Sequence, residues 1–131
     1  MSALAVDTWA FAELFQAGPR ADEVTSVLDE ADFLFTTREV VAETFNFIAR
    51  RTGATRYAQA WWDDLRETHV RVFEPPLDEL HTFIHKASAR GALSFTDLSL
   101  AFVAQREGAT AIATGDAEFR RLGLEPLFAA R

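Results

Sequence analysis

Residues 94–119, SFTDLSLAFVAQREGATAIATGDAEF, decide the fold of this chain. Their first half predicts a helix whose only charge between residues 95 and 104 is Asp97, and a helix that is apolar almost all round is normally buried. Residues 110–114 are too short and too β-branched for a helix, which indicates a buried strand of a parallel sheet. Asp116 follows that strand, at the end where open α/β sheets bind their ligands.

Strands and helices alternate along the rest of the chain, which predicts a parallel sheet covered on both faces. A hydroxyl followed three residues later by Glu39 is typical of a capping box and places a helix start at residues 36–39. Pro126 limits the last strand to a sheet edge. The other predicted strands are residues 4–6, 33–35, 70–73 and 123–128. The other predicted helices are residues 8–17, 22–30, a segment ending near 51, 55–69 and 77–90.

The length of 131 residues predicts one domain, residues 1–131, with its own core. The absence of cysteine excludes disulfides, thiolate metal sites and cysteine nucleophiles, which fits a cytoplasmic protein. No apolar run is long enough to span a membrane, and no secretory signal is present. The net charge of −7 argues against a general nucleic-acid coat protein but not against an enzyme with a local acidic pocket.

Two further carboxylates are expected at the same sheet edge as Asp97 and Asp116. Asp7 follows the first strand, and Glu43 lies near the start of the helix after the second strand. Each of the four acids taken alone is explained better by a structural role than by a catalytic one, such as a helix cap or an aliphatic stem covering apolar surface. The joint pattern, however, predicts four converging carboxylates.

Several carboxylates do not share a small pocket in ionised form unless a cation joins them. The ligand set is all oxygen, which favours Mg²⁺ or Mn²⁺ over zinc. Thr8, Thr96 and Thr114 supply hydroxyls that can hold metal-bound waters, and Asn46 lies one turn from Glu43. This combination suits hydrolysis of phosphodiester bonds.

Four segments resemble, in order and spacing, those of PIN-domain ribonucleases, and specifically the VapC toxins of toxin–antitoxin pairs. They are AVDTWAF, TTREVVAETFN, LSFTDLSLAFVAQREG and IATGDAEF, and the resemblance covers essentially the whole chain. It implies a three-layer α/β/α sandwich with a short parallel sheet, and a metal-dependent endoribonuclease. It also implies a homodimer and inhibition by a small cognate antitoxin.

The resemblance maps the catalytic and metal-binding quartet of the family onto Asp7, Glu43, Asp97 and Asp116. Many members carry a further Asp or Asn near the last acid, whereas this chain offers only Asp116 there. Whether Asp116 binds metal directly or through water, and whether one or two metals act, stays open.

Three other kinds of site fit the same residues less well. A receiver domain needs an acidic pair after the first strand and a lysine after a late one, but Asp7 stands alone and Lys86 lies in mid-helix. A phosphatase-like hydrolase needs Asp-x-Asp after the first strand. His81 and His85 have the spacing of a zinc pair but lack a third ligand. A PIN-like scaffold that only binds RNA or protein stays open as the alternative.

An acidic chain needs a local basic rim to bind RNA. Arg38, near the start of the Glu43 helix, is the first candidate, followed by Arg50 and Arg51 at its far end, with Arg56 nearby. In the helix over residues 55–69, Tyr57, Trp61 and Leu65 are predicted to face the core. Trp62 is predicted to be partly exposed and to bind a partner.

Overall fold

The computed structural model of the protein describes residues 2–87 and 91–130. Strands and helices alternate as predicted. The strands are β1 (Ala3–Val6), β2 (Phe33–Thr37), β3 (Arg71–Phe73), β4 (Ala111–Ala113) and β5 (Glu125–Pro126). The helices are α1 (Thr8–Phe15), α2 (Ala21–Glu30), α3 (Arg38–Thr52), α4 (Thr55–Arg66), α5 (Leu77–Ala87) and α6 (Phe95–Arg106). A 3₁₀-helix (Ala117–Leu122) lies between β4 and β5.

The strands form one parallel sheet in the order β3-β2-β1-β4-β5. The chain moves from β1 through β2 to β3 on one side and then crosses back to β4 on the other side of β1. The carboxyl ends of β1 and β4 therefore flank the point at which the strand order reverses, where α/β sheets bind ligands. The prediction of an edge strand containing Pro126 is confirmed, although that strand has only two residues.

The two directions of crossover explain the layers. Helices α1 to α4 connect strands that progress one way, and α5 and α6 connect β3 to β4 the other way. Right-handed crossovers in opposite directions place their helices on opposite faces of the sheet. The result is the predicted α/β/α sandwich.

The core lies between the sheet and these helices. Phe35, Val6 and Ile112 are fully buried on the central strands, and Phe119 of the 3₁₀-helix packs into the same cluster. Six residues of α6 are buried, as expected for a helix that is apolar almost all round: Leu98, Ser99, Leu100, Ala101, Val103 and Ala104. In residues 2–87 and 91–130 no helix is both long and apolar enough to cross a membrane.

Two local predictions are wrong. The cap of α3 is Thr37, whose hydroxyl accepts a hydrogen bond from the Val40 amide, and not Thr36. Thr36 instead donates to the carbonyl of Val6 and ties β2 to β1 at 2.7 Å. Tyr57 is 45% exposed because the buried positions of α4 are Ala58 and Leu65, and Tyr57 lies to one side of them.

The boundaries of several elements also differ from prediction. Helix α4 ends at Arg66, three residues before the predicted end, and α1 ends at Phe15. The predicted end of α5 at residues 88–90 falls outside the described residues. The 3₁₀-helix after Asp116 was not among the predicted helices.

Candidate metal-dependent active site

The four predicted acids are carried by different elements at one end of the sheet. Asp7 directly follows β1, and Asp116 lies three residues beyond β4, the neighbouring strand. Glu43 lies in the second turn of α3, after β2. Asp97 lies in the first turn of α6, which runs back toward β4.

A short chain of hydrogen bonds joins the two strand-borne acids. The Thr114 hydroxyl donates to Oδ2 of Asp7 at 2.7 Å and accepts from the Asp116 backbone N–H at 3.1 Å. Because Thr114 is fully buried, its hydroxyl has a fixed place between the two residues. Thr114 therefore sets the position of both acids.

The turn after β4 is packed directly against α1. A Cβ atom at Gly115 would lie 2.8 Å from the ring of Trp9, so only glycine allows this approach without a shift. Trp9 also stacks on Phe128, with ring centroids 5.3 Å apart. Arg20 lies over both rings and donates to the Phe128 carbonyl at 2.6 Å. The segment that carries Asp116 is thus held from the side as well as from the sheet.

Asp7 is buried, with 4% of its surface exposed, and this sets its proton affinity. The pKa of its carboxyl is raised from 3.8 to about 7, mainly by burial and to a lesser extent by the nearby charges of Asp97 and Glu43. The hydrogen bond from Thr114 lowers the pKa and opposes part of this effect. Asp7 lies close enough to Asp97 and Glu43 for their charges to disfavour its ionised form. A cation bound between these carboxylates would stabilise that ionised form.

Asp97 and Asp116 also have the capping roles that were weighed against a catalytic role. Asp97 completes a capping box, accepting from the Ser94 N–H at 3.2 Å through Oδ2. Asp116 caps the 3₁₀-helix, accepting from the Glu118 N–H at 2.9 Å through Oδ1. Burial is the main reason that the pKa of Asp97 is raised, and the charges of Asp116 and Glu43 add to it.

The three aspartates share one feature: each uses one carboxylate oxygen to hold its own position. The second oxygen of Asp7, Oδ1, is fully buried and has no hydrogen-bond partner among the described residues. A buried acceptor without a donor is costly. The capping bonds of Asp97 and Asp116 each use one carboxylate oxygen. Capping therefore orients these two carboxylates without preventing them from binding a cation.

Glu43 is presented differently. Its side chain is half-buried and lines an open cavity of about 310 Å³ between α3 and the start of α6. Glu39, one turn earlier, lines the same cavity, with one oxygen bound by Arg38 at 2.9 Å and the other buried without a partner. Sequence reasoning missed Glu39 because it assigned that residue to a capping box.

The donor set fits a hard divalent cation. Within residues 2–87 and 91–130, no three Asp, Glu or His side chains form a ready-made cluster for a metal ion. Mg²⁺ does not require one, since it commonly takes one or two carboxylates and keeps several waters. The carboxylate oxygens of the three aspartates, and above all the buried, unpaired one of Asp7, are the ligands that such an ion needs.

The predicted orienting residues have distinct positions. Thr114 contacts Asp7 directly, as described above. The Thr8 hydroxyl is buried beside Asp7 without a hydrogen-bond partner in the described chain. Asn46 lines the cavity with Glu43, and no hydrogen bond links their side chains. Sequence reasoning also missed the contact between Gly115 and Trp9. The available signal was the glycine between Thr114 and Asp116, which indicates a close approach by another group.

The predicted basic rim is divided. Arg38 is paired with Glu39 at 2.9 Å and with Glu74 at 3.9 Å. Arg50 lines the cavity that holds Glu43, whereas Arg51 is exposed on another side of α3. The three arginines of α3 therefore do not form one continuous surface.

Known structures share this fold. VapC20 of Mycobacterium tuberculosis, a sarcin-ricin loop cleaving toxin, matches with a TM-score of 0.80 at 24% identity, over 92% of this chain and 95% of that one. VapBC2 of Rickettsia felis, solved with a DNA fragment from its promoter, matches with a TM-score of 0.71 at 13% identity, over 95% and 96%. PAE2754 of Pyrobaculum aerophilum matches with a TM-score of 0.65 at 21% identity, over 98% and 88%.

A comparison with curated proteins gives no match. The sequence profile of the PIN domain, however, matches residues 4–124, which is almost the whole chain. The order of the sheet agrees with that match. The chain therefore belongs to the PIN domain family.

Proposed function

We propose that this protein is a Mg²⁺- or Mn²⁺-dependent endoribonuclease and that residues 1–131 form its single nuclease domain. PIN-domain nucleases in general use divalent metal ions. The observation that carries the proposal is a set of four carboxylates close enough to sense one another's charge: Asp7, whose buried Oδ1 atom has no partner in the described chain, with Glu43, Asp97 and Asp116. Such a set is not favourable without a cation.

Asp7, Glu43, Asp97 and Asp116 are the residues that would hold the cation. A bound divalent ion in such a site polarises a phosphoryl oxygen and lowers the pKa of a bound water. Within the chain, Thr114 orients Asp7 and Asp116, and the Ser94 amide orients Asp97. The buried Thr8 hydroxyl beside Asp7 is available to a water of the cation.

We further propose that the protein acts as the toxin of a toxin–antitoxin pair, in the cytoplasm, where its RNA substrate is found. The fold shared with a toxin and with a toxin–antitoxin complex supports this role. A small partner can block an acidic site by placing an Arg or Lys where the cation binds. A homodimer is part of the same proposal.

Trp62 marks a surface for such a partner or for the second copy. Its side chain is 41% exposed and meets Phe45 edge to face, with ring centroids 6.3 Å apart. Val72 is 40% exposed beside it in the lining of the same shallow cavity. Exposed tryptophan next to aliphatic surface is typical of residues that dominate the energy of an interface.

Metal-dependent cleavage tests the nuclease. RNA is incubated with wild type and with Asp97→Asn in Mg²⁺, in Mn²⁺ and in EDTA. We expect cleavage only for wild type with metal. Equal cleavage by both proteins would show a contaminant, and RNA binding without cleavage in either metal would favour the binding-module alternative.

Co-purification tests the partner. The protein is expressed with its neighbouring reading frame, and complexes are separated by size-exclusion chromatography. Trp62→Ala should weaken the complex or the homodimer more than it lowers the melting temperature, and Tyr57→Ala, equally exposed on α4, is the control. A monomer that is harmless when expressed alone and retains no partner would exclude the toxin role and leave the nuclease intact.

A further inference from the structure

We propose that Arg50 and Asn46 extend the nuclease site along α3, with Arg50 binding an RNA phosphate next to the bond that is cleaved. The inference rests on the proposed function, because it takes the acids as the place of cleavage. It assigns the substrate path to one face of one helix and separates Arg50 from the two other arginines of α3.

The geometry of α3 defines that face. Residues 39, 43, 46 and 50 fall within an arc of about 60° on an α-helix, so they lie in one row. All four line the cavity of about 310 Å³, which Thr96 of α6 closes from the other side. The row therefore begins at the carboxylates of Glu39 and Glu43 and ends at the guanidinium of Arg50.

Arg50 is available for a ligand. It takes part in no salt bridge within the described chain. Its neighbour one turn back is Asn46, which is uncharged, and Glu43 is about 10 Å away along the axis, too far for an intrahelical pair. A cation that lacks an acidic partner beside an acidic site is suited to a polyanion.

Arg38 is not equivalent. Its guanidinium contacts Glu39 at 2.9 Å and lies 3.9 Å from Glu74. RNA phosphate would have to compete with these two carboxylates for the Arg38 guanidinium, so the arginine closest to the start of α3 is the weaker phosphate ligand. This reverses the ranking predicted from the sequence.

If one phosphate of an RNA strand lies at the acids, the neighbouring phosphates of that strand can lie along this row of residues. The separation of Glu43 and Arg50, about 10 Å along the axis, is spanned by a nucleotide or two together with the length of the arginine side chain. Asn46 lies between them and offers both a donor and an acceptor to the sugar or the base. Arg50 then helps to offset the repulsion between RNA and a chain of net charge −7.

Arg51 is the matched control. Both residues are exposed and lie in the last turn of α3, where each is equally placed to stabilise the negative end of the helix dipole. They point about 100° apart, and only Arg50 lines the cavity. A structural role would make the two substitutions equivalent, whereas a phosphate contact would not.

Binding of a labelled single-stranded oligoribonucleotide tests the proposal, in Mg²⁺ and in the Asp97→Asn background, so that the RNA stays intact. We expect Arg50→Ala to weaken binding about tenfold, the size of one charge-assisted contact. The slope of log Kd against log salt should fall by about 0.7, as for one lost phosphate contact on a single strand. Arg51→Ala should leave both quantities nearly unchanged, and Arg50→Lys should restore part of the affinity.

A second variant keeps Arg50 but gives its guanidinium an acidic partner. Asn46→Asp places a carboxylate one turn before Arg50, where it forms an intrahelical ion pair and repels phosphate. We expect it to weaken RNA binding although no cation is lost, while the melting temperature stays near that of the parent.

Two outcomes would overturn the assignment: equal losses for Arg50→Ala and Arg51→Ala, or no RNA binding by the parent protein. Single variants in the active chain separate this proposal from the nuclease itself. Arg50→Ala should raise KM with kcat nearly unchanged. If wild type cleaves no RNA in Mg²⁺ or Mn²⁺ while Arg50→Ala still loses affinity and salt slope, the nuclease function fails and the phosphate contact stands.

Discussion

The strand-borne half and the helix-borne half of the site are built in different ways. Asp7 and Asp116 follow adjacent strands, share the Thr114 hydroxyl and are packed against Trp9. Glu43 projects from α3 into an open cavity. Asp97 lies between these extremes, half-buried and held by the Ser94 amide. One half is positioned before any ligand arrives, and the other keeps freedom to adjust to one.

Removing the charge from either half should have the largest effect. Asp7→Asn, Glu43→Gln, Asp97→Asn and Asp116→Asn should each reduce metal-dependent RNA cleavage by orders of magnitude, because each removes a ligand charge from the cation. Initial rates across a Mg²⁺ titration measure this. If Glu43→Gln regains activity at high Mg²⁺ and Asp7→Asn does not, the rigid half is the main metal site. Near wild-type rates in all four variants would refute the assignment of the quartet.

Thr114→Val breaks the link within the rigid half while keeping its shape. Asp7 loses the donor that lowers its pKa, and the Asp116 amide loses its acceptor. We expect cleavage to fall about 10–100-fold, the usual cost of losing a residue that orients metal ligands. The pH of half-maximal activity should also rise. Thr110→Val, an exposed position just before β4, is the control and should leave the rate unchanged.

Neutralising the acids should raise the free energy of unfolding although it lowers the cleavage rate, and the rise should be largest for the buried Asp7. Burial holds the pKa of Asp7 at about 7, well above 3.8, so folding is penalised once the unfolded chain ionises. The penalty is absent below about pH 4, grows as the pH rises, and is complete above about pH 7. In EDTA at pH 8, Asp7→Asn should therefore be more stable than wild type by up to about 4 kcal/mol, since the pKa shift from 3.8 to about 7 is worth about 1.4 kcal/mol per pKa unit.

Thermal or urea unfolding from pH 4 to pH 8 measures this difference. The gain of Asp7→Asn should vanish toward pH 4, and added Mg²⁺ should narrow it by stabilising wild type. Asp97→Asn should show a smaller gain in the same direction, since its pKa is also raised. Glu43→Gln, from the adjustable half, should gain least. A gain for Asp7→Asn that did not change with pH would contradict the origin proposed for it.

Ser94→Ala should have the smallest effect and tests how Asp97 is held. The Ser94 hydroxyl caps α6 by accepting from the Asp97 amide, so its loss should cost about 1 kcal/mol of stability. The bond that orients the Asp97 carboxylate comes from the Ser94 backbone N–H and survives the change. Cleavage well below the melting temperature should therefore stay near wild type. A loss as large as that of Asp97→Asn would show that the side chain of Ser94 orients the acid.

The positions of the acids could be predicted to different degrees. Asp7 and Asp116 were predictable as neighbours because the carboxyl ends of parallel strands meet at one sheet edge. The capping roles of Asp97 and Asp116 were predictable from the sequence as alternatives to catalysis. The sequence did not show that each cap uses a single carboxylate oxygen. That depends on which oxygen meets which amide, and it is decided only by backbone geometry.

The errors have a common physical cause. Thr36 and Thr37 are equivalent in a capping pattern, yet the pairing of β2 with β1 directs Thr36 toward Val6 and leaves Thr37 to cap α3. That choice leaves Glu39 in the cavity instead of in a capping box. Tyr57 was placed in the core by periodicity, but the face of α4 that packs is centred on Ala58 and Leu65.

The alternation of strands and helices, the buried helix α6 and the edge strand with Pro126 were all predictable from the sequence. These follow from period, composition and order, which are local properties of the chain. The folded chain alone shows that Thr114 joins two acids and that Trp9 requires glycine at residue 115. It also shows that, within the described residues, Arg50 has no acidic partner whereas Arg38 has two. Those features depend on contacts between residues distant in sequence, and side-chain hydrogen bonds and ion pairs form only once packing has brought them together.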